Sequence, residues 1–173
     1  MRHTRKEVID RTRREFARLD RVVLQLRAAD WTRSVLRPPA CDPWTVQDAL
    51  AHILYWKKYT LRVIRGVRRL PETRGLDFEG INRLVYERWR RRRLNELVAW
   101  HRRVHADVLE MLAKTPREFF GRRERSREWP LDFDGHSAAH RVKDIEATLG
   151  DVARRPAHGS KSRRTRREAT NQR

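Results

Sequence analysis

The chain has 173 residues, of which 38% are hydrophobic and 38% charged, and its formal net charge is +19 at pH 7. This length suggests one domain, and the low apolar share requires the apolar residues to lie on narrow helical stripes. A single cysteine, Cys41, excludes an internal disulfide; because no long apolar run or signal-peptide pattern is present, we expect a soluble cytoplasmic protein without a membrane partner.

The first half of the chain predicts two long helices. Residues 5–29 carry apolar side chains at intervals of three and four, which is typical of an amphipathic helix. Three prolines between residues 31 and 44 predict a loop. Thr45 is a suitable N-cap for a second helix that we expect to reach about Arg69. Its predicted buried face consists of Val46, Ala49, Leu50, Ile53, Leu61 and Ile64.

Two further helices are predicted after a loop at Pro71 and Gly75. The apolar spacing predicts one helix over residues 77–91 and a stronger one over 94–114. The four arginines at 90–93 are too charged to be buried and predict an exposed corner.

The remaining sequence predicts a loop, a last helix and a tail. Residues 115–134 are loop-like, although Phe119 and Phe120 are expected to enter the core, and residues 135–151 predict the last helix. From 153 to 173 there are eight basic residues and one acidic residue without an apolar stripe, which predicts a disordered tail. We therefore expect an all-α bundle of four main helices with one long crossover connection over residues 1–152.

The spacing of the histidines suggests a metal site. His136 and His140 are four residues apart on one predicted helix, so both imidazoles could reach the same ion, and His101 and His105 repeat this spacing. Such a pair supplies only two ligands, and it also arises by chance. His52 lies in an apolar and aromatic helix, where it could serve as a third ligand or could only fill the core. The HSAAH segment lacks the glutamate of an HExxH metalloprotease.

Three features together resemble the DinB-like superfamily. They are the WTVQD helix start at residues 44–48, His52 in the same helix, and the His136/His140 pair that opens the last helix. The resemblance covers roughly residues 5–152. It implies an up-up-down-down four-helix bundle of DinB-like type with a long crossover connection.

The resemblance also implies a class of activity. The superfamily includes YfiT-like metal-dependent hydrolases, and transferases and isomerases that use low-molecular-weight thiols, such as mycothiol-dependent maleylpyruvate isomerase. It implies that His52, His136 and His140 bind a divalent metal, with zinc or nickel suited to three imidazole ligands. A small-molecule substrate, a low-molecular-weight thiol and a homodimer are the further expectations.

Two other functions remain open at this stage. The superfamily contains a metal-free branch, the ClbS/DfsB proteins, which protect against a genotoxin, and the segment around His52 fits that branch too. The basic residues also allow weak, non-specific nucleic-acid binding, although no DNA- or RNA-binding motif is present and the arginines could act only in solubility. The arginine candidates are Arg88, Arg90, Arg91, Arg92 and Arg93, joined by Arg122, Arg123, Arg125, Arg127 and the tail.

Helical geometry gives an expectation for the surroundings of the three histidines. At about 100° per residue, His52 lies at the edge of its apolar stripe beside Trp56 and Tyr59, as in the wall of a cleft. His136 and His140 lie nearly opposite the predicted apolar face of the last helix, at a cleft mouth or in solvent. The residues predicted for that face are Ala138, Val142, Ile145 and Leu149.

Several side chains near these histidines have two interpretations each. Asp144 could orient the ring of His140 or form a surface ion pair with an arginine. His101 and His105 fall in the middle of an apolar stripe, which favours core histidines but also allows them to assist the site. Among the aromatic residues we expect Trp56 and Trp100 to lie in the core rather than in a pocket. Nothing adjacent to Cys41 would lower the pKa of its thiol.

Overall fold

The computed structural model describes residues 3–35, 44–67, 70–121 and 132–150, and most of them are helical. The helices are α1 (Arg5–Gln25), α2 (Ala28–Trp31), α3 (Val46–Ile64), α4 (Phe78–Trp89), α5 (Leu94–Lys114), α6 (Arg117–Gly121), α7 (Gly135–His140), a π-helical segment (Arg141–Glu146) and α8 (Ala147–Leu149). No strand occurs in these ranges; an isolated antiparallel bridge joins Ser34 to Thr45. The all-α prediction is confirmed. The predictions for Cys41, for the arginines at 122–127 and for the tail fall outside the described residues.

Two predicted helix ends are wrong, and both have a local cause. The first helix ends at Gln25 rather than 29, since the backbone of Leu26 and Arg27 is extended. The Asp30 carboxylate then accepts a hydrogen bond from the Arg27 amide at 3.0 Å, which starts α2. Helix α3 ends at Ile64 rather than at Arg69, because Gly66 adopts a positive φ of 79°.

Helix α3 is the central element of the bundle. It begins with a capping box, in which Thr45 and Asp48 each accept a hydrogen bond from the other's backbone amide. It packs against α4, α5, α7 and the π-helical segment, so it is buried on most of its circumference. Five predicted core positions, Val46, Ala49, Leu50, Ile53 and Leu61, are at most 1% exposed. The sixth, Ile64, is only partly buried.

The arginine-rich corner between α4 and α5 is exposed, as predicted. Arg90, Arg91, Arg92 and Arg93 are all exposed at this turn. The Gln47 side chain of α3 donates hydrogen bonds to the carbonyl oxygens of Trp89 (2.9 Å) and Arg92 (3.2 Å), which fixes the corner to the bundle.

Two aromatic contacts secure the ends of α5. The rings of Trp89 and Trp100 stack at 4.2 Å at the α4–α5 end. At the other end Phe120 is 1% exposed and Phe119 packs against the core, which confirms the prediction for this pair. No helix in the described part of the chain is long and apolar enough to cross a membrane.

The last helix changes its winding immediately after the two histidines. Gly135 opens it, and a Cβ atom at this position would collide with the Asp132 carboxylate, which accepts a hydrogen bond from the Gly135 amide. Arg141–Glu146 then form a π-helical segment. The predicted apolar face is only partly right: Ile145 and Leu149 are buried, but Val142 is 49% exposed. Because the π-helical segment has a wider turn than an α-helix, Arg141 and Asp144 are buried in addition.

Candidate metal centre

Three histidines from two elements meet in one cluster. His52 comes from α3, and His136 and His140 come from α7. Each offers a ring nitrogen, and the three nitrogens all lie within 4.8 Å of one another. The ring centroids are 5.3 Å apart for His52 and His136, and 4.5 Å apart for each of the other two pairs. Three imidazole nitrogens at this spacing suit a divalent ion such as zinc or nickel.

The burial of the cluster is uneven. His52 is 6% exposed, and the indole ring of Trp44 packs at 5.0 Å from its imidazole. His136 and His140 are half-buried rather than solvent-exposed, since the last helix turns them towards α3. One well-buried and two partly accessible imidazoles give an ion a fixed support on one side and room for a ligand on the other.

The imidazole of His140 is oriented by a buried carboxylate. Asp144 Oδ2 lies 2.5 Å from His140 Nδ1, and Asp144 is 0% exposed. The two residues are four positions apart, so they lie on one face of the last helix. With Nδ1 engaged by this carboxylate, Nε2 is the ring nitrogen available as a metal ligand. Of the two interpretations of Asp144, the contact with His140 favours an orienting role.

The three histidines line a cleft with a volume of about 590 Å³. Trp56 forms part of its wall, with its indole nitrogen donating a hydrogen bond to Asn82 Oδ1 at 3.0 Å. The prediction that Trp56 lies in the core rather than in a pocket is therefore only partly right, because Trp56 packs against the core and also lines the cleft. Phe78, which is 70% exposed, sits at 5.5 Å from the Trp56 ring. The other lining residues are Lys57, Tyr59, Thr60, Asp132 and Phe133.

Lys57 is a cleft residue that the sequence analysis did not predict. It lines the cleft and is only 6% exposed. Burial lowers the pKa of its ammonium group to about 8, and the negative charges of Glu15 and Asp134 oppose this shift. Its spacing of four residues from both Ile53 and Leu61 was the available signal, because it places a lysine within the buried stripe of α3.

A buried ion pair holds the last helix against α1 behind the cleft. Arg141 donates hydrogen bonds from Nε to Glu15 Oε1 at 2.8 Å and from Nη2 to Glu15 Oε2 at 3.3 Å. A second carboxylate, that of Glu146, contacts Arg141 Nη1. Glu15 and Arg141 are about 5% and 6% exposed.

His101 and His105 are not among the residues that line the cleft. His101 is 1% exposed, with its Nε2 at 3.3 Å from Asp20 Oδ1, and both histidines stack on Phe16 at centroid distances of 4.7 and 3.7 Å. Burial lowers the pKa of His101 to about 3 and that of His105 to about 4, and the charge of Lys57 acts in the same direction. Both imidazoles are therefore neutral at physiological pH, which fits core histidines.

The arginine corner is separate from the cleft. Arg90 stacks on the Tyr86 ring at 4.5 Å, while Arg88 and Arg92 form partly exposed ion pairs with Glu72 and Glu96. Nucleic-acid binding by this corner stays a prediction, as does the homodimer.

Comparison with known proteins adds a family to this geometry. Residues 12–153 match the family model described as the mycothiol maleylpyruvate isomerase N-terminal domain, which covers most of the chain and all three histidines. Neither the curated proteins nor the solved structures gave a match. The helical architecture and the histidine cluster agree with this assignment, since the family is part of the DinB-like superfamily. The chain thus belongs to the family of mycothiol maleylpyruvate isomerase N-terminal domains, within the DinB-like superfamily.

Proposed function

We propose that the protein is a metal-dependent enzyme in which His52, His136 and His140 bind one divalent ion, zinc or nickel. The observation that carries this proposal is the convergence of three ring nitrogens within 4.8 Å in the wall of an open cleft. The family favours a reaction that uses a low-molecular-weight thiol, such as transfer or isomerisation, over simple hydrolysis. The substrate is a small molecule that enters the cleft.

The side chains around the cluster fit this chemistry. A divalent ion at the cluster would supply a Lewis acid that keeps a bound thiol in its thiolate form. The Asp144 carboxylate fixes the ring of His140, and the tightly packed surroundings of His52 fix the second ligand. Trp56 and Phe78 offer apolar contact to the substrate and exclude water from one side of the cleft.

Metal content tests the proposal directly. Tag-free protein is analysed for bound metal beside the variants His52→Ala and His105→Ala. We expect about one divalent ion per chain in the wild type and in His105→Ala, because His105 lies outside the cluster. We expect loss of the ion in His52→Ala. The affinity for added zinc, measured by chelator competition, gives the same comparison on metal-depleted protein.

Two results would count against the proposal. If the wild type binds no metal even after zinc is added, the metal-free protective function becomes the better explanation of the cleft. If His52→Ala retains the ion while His105→Ala loses it, the metal lies at a different site.

A further inference from the structure

Lys57 brings a buried positive charge into the cleft that the three histidines line. It is 6% exposed, and it lies five residues after His52 on α3. An ammonium group in such a position loses much of its hydration, which is unfavourable unless a partner compensates. Within the described ranges, the Lys57 ammonium group forms no hydrogen bond and no ion pair.

The neighbouring carboxylates are already engaged by other groups. Glu15 binds Arg141 at 2.8 Å, and Asp134 faces Arg11 at 3.6 Å. Asp132, the acidic residue in the described lining of the cleft, accepts a hydrogen bond from the Gly135 amide. Each of these carboxylates therefore has a contact with a group other than Lys57.

The local field still keeps Lys57 charged. The negative charges of Glu15 and Asp134 oppose the effect of burial, and with a pKa of about 8 the side chain is mostly an ammonium ion at pH 7. The nearby imidazoles of His101 and His105 are neutral, so they do not compete for an anion. The cleft thus combines a cluster of metal-binding type with one cationic donor that forms no ion pair with the residues that the structure describes.

We propose that Lys57 is an anion-recognition residue, which binds the carboxylate of a small molecule held at the histidine cluster. This inference rests on the proposed function, because the histidine-bound ion fixes the other end of the same molecule. The cleft would then select ligands that carry a metal-binding group and a carboxylate on one short chain. Lys57 contacts the carboxylate and sets the preference for acidic ligands, while the histidines bind the metal ion.

The inference is tested by measuring how tightly cobalt-loaded protein binds short thiols with and without a carboxylate. The probes are mercaptoacetate, 3-mercaptopropionate and 4-mercaptobutyrate, each paired with the mercaptoalcohol of the same carbon number. Binding of the thiol to cobalt is followed by the sulfur-to-cobalt absorption band. We expect the wild type to bind at least one of the three acids about tenfold more tightly than its alcohol, which corresponds to one charge-assisted hydrogen bond.

The variant Lys57→Met removes the charge and keeps a side chain of similar length. We expect it to lose the preference for the acid and to keep its affinity for cobalt and for the alcohols. Lys58→Met is the matched control, because Lys58 pairs with Asp107 at 2.6 Å and does not line the cleft. It should bind all the probes as the wild type does.

Each outcome has a distinct meaning. If cobalt binds but no acid is preferred, or if Lys57→Met keeps the preference, the role of Lys57 is overturned while the metal centre stands. If cobalt does not bind to the wild type, the proposed function itself fails. Unchanged cobalt affinity in Lys57→Met shows that any lost preference does not result from misfolding.

Discussion

The ring of His140 is held by a carboxylate one helical turn away. Asp144 is completely buried, and its oxygen contacts Nδ1 at 2.5 Å. A carboxylate in this position keeps the ring from rotating. In the proposed metal centre, the contribution of His140 should therefore depend on a residue outside the set of three histidines.

Replacement of this carboxylate should weaken metal binding. We expect Asp144→Asn to lower the affinity for zinc by about 10- to 100-fold, because the neutral amide holds Nδ1 less strongly than the carboxylate does. The affinity is measured by competition with a chelator. Asp107→Asn, which removes the partly exposed partner of Lys58, serves as the control and should leave the affinity unchanged. Equal affinities in all three proteins would show that Asp144 has no orienting role.

At the scale of elements, the last helix is placed by a buried ion pair as well as by apolar contacts. Arg141 reaches across to Glu15 of α1 from the first position of the π-helical segment. Since His140 directly precedes Arg141, this contact also fixes the direction in which α7 presents its histidines.

Removal of one partner of an ion pair should lower the free energy of unfolding strongly only where the pair is buried. We expect Glu15→Gln to lower the free energy of unfolding by about 3 kcal/mol, because it leaves the Arg141 charge buried with less compensation. Glu146→Gln is the matched variant, since Glu146 contacts the same guanidinium group but is 28% exposed in its side chain. The Glu146→Gln substitution should lower the free energy of unfolding by less than about 1 kcal/mol. Urea unfolding measures both values, and similar costs for both would contradict the distinction.

The sequence predicts the main helices of the bundle well, but it predicts the buried face of the last helix less well. The apolar spacing identified α3 and α5 correctly, because both are regular α-helices with wide buried faces. In the last helix the periodicity failed, since the π-helical segment shifts Arg141 and Asp144 inward and Val142 outward. The buried charges Glu15 and Arg141 were not predicted either, because each requires a partner from a distant part of the chain.

The candidate site shows the same limit of sequence reasoning. That His52 meets His136 and His140 was suggested by the family resemblance; their spacing alone could not connect two helices so far apart in sequence. The spacing of Lys57 from Ile53 and Leu61 places this lysine within the buried stripe of α3. That it lines the same cleft follows only from the packing of α3 against the last helix.

At the scale of the whole molecule, the core contains histidines that must stay uncharged. His101 is 1% exposed, and burial lowers its pKa from an ordinary value of 6.5 to about 3. An unfolded chain takes up this proton as the pH falls below about 6.5, whereas the folded chain does not. Its contribution to stability is therefore complete above pH 6.5 and is lost progressively as the pH falls towards 3.

This difference predicts an acid-sensitive fold. Between pH 7.5 and pH 5, protonation of His101 in the unfolded state should lower the free energy of unfolding by about 2 kcal/mol. The variant His101→Gln cannot take up this proton, so its stability should fall by about 2 kcal/mol less than that of the wild type over the same range. Urea unfolding of metal-depleted protein at both pH values gives the comparison. Equal losses in the two proteins would show that His101 is protonated as readily in the fold as in the unfolded chain.

The ion pair between Glu15 and Arg141 joins positions that are 126 residues apart in the chain. Of the clustered histidines, His52 lies in the first third of the chain, and His136 and His140 lie just before Arg141. During synthesis, the complete ligand set can form only after nearly the whole bundle has been made and its first and last helices have met. Contacts of such long sequence separation form late in folding. In the proposed metal centre, loading would therefore follow the synthesis of α7, because a ribosome-bound portion that ends before residue 136 holds only one of the three histidines.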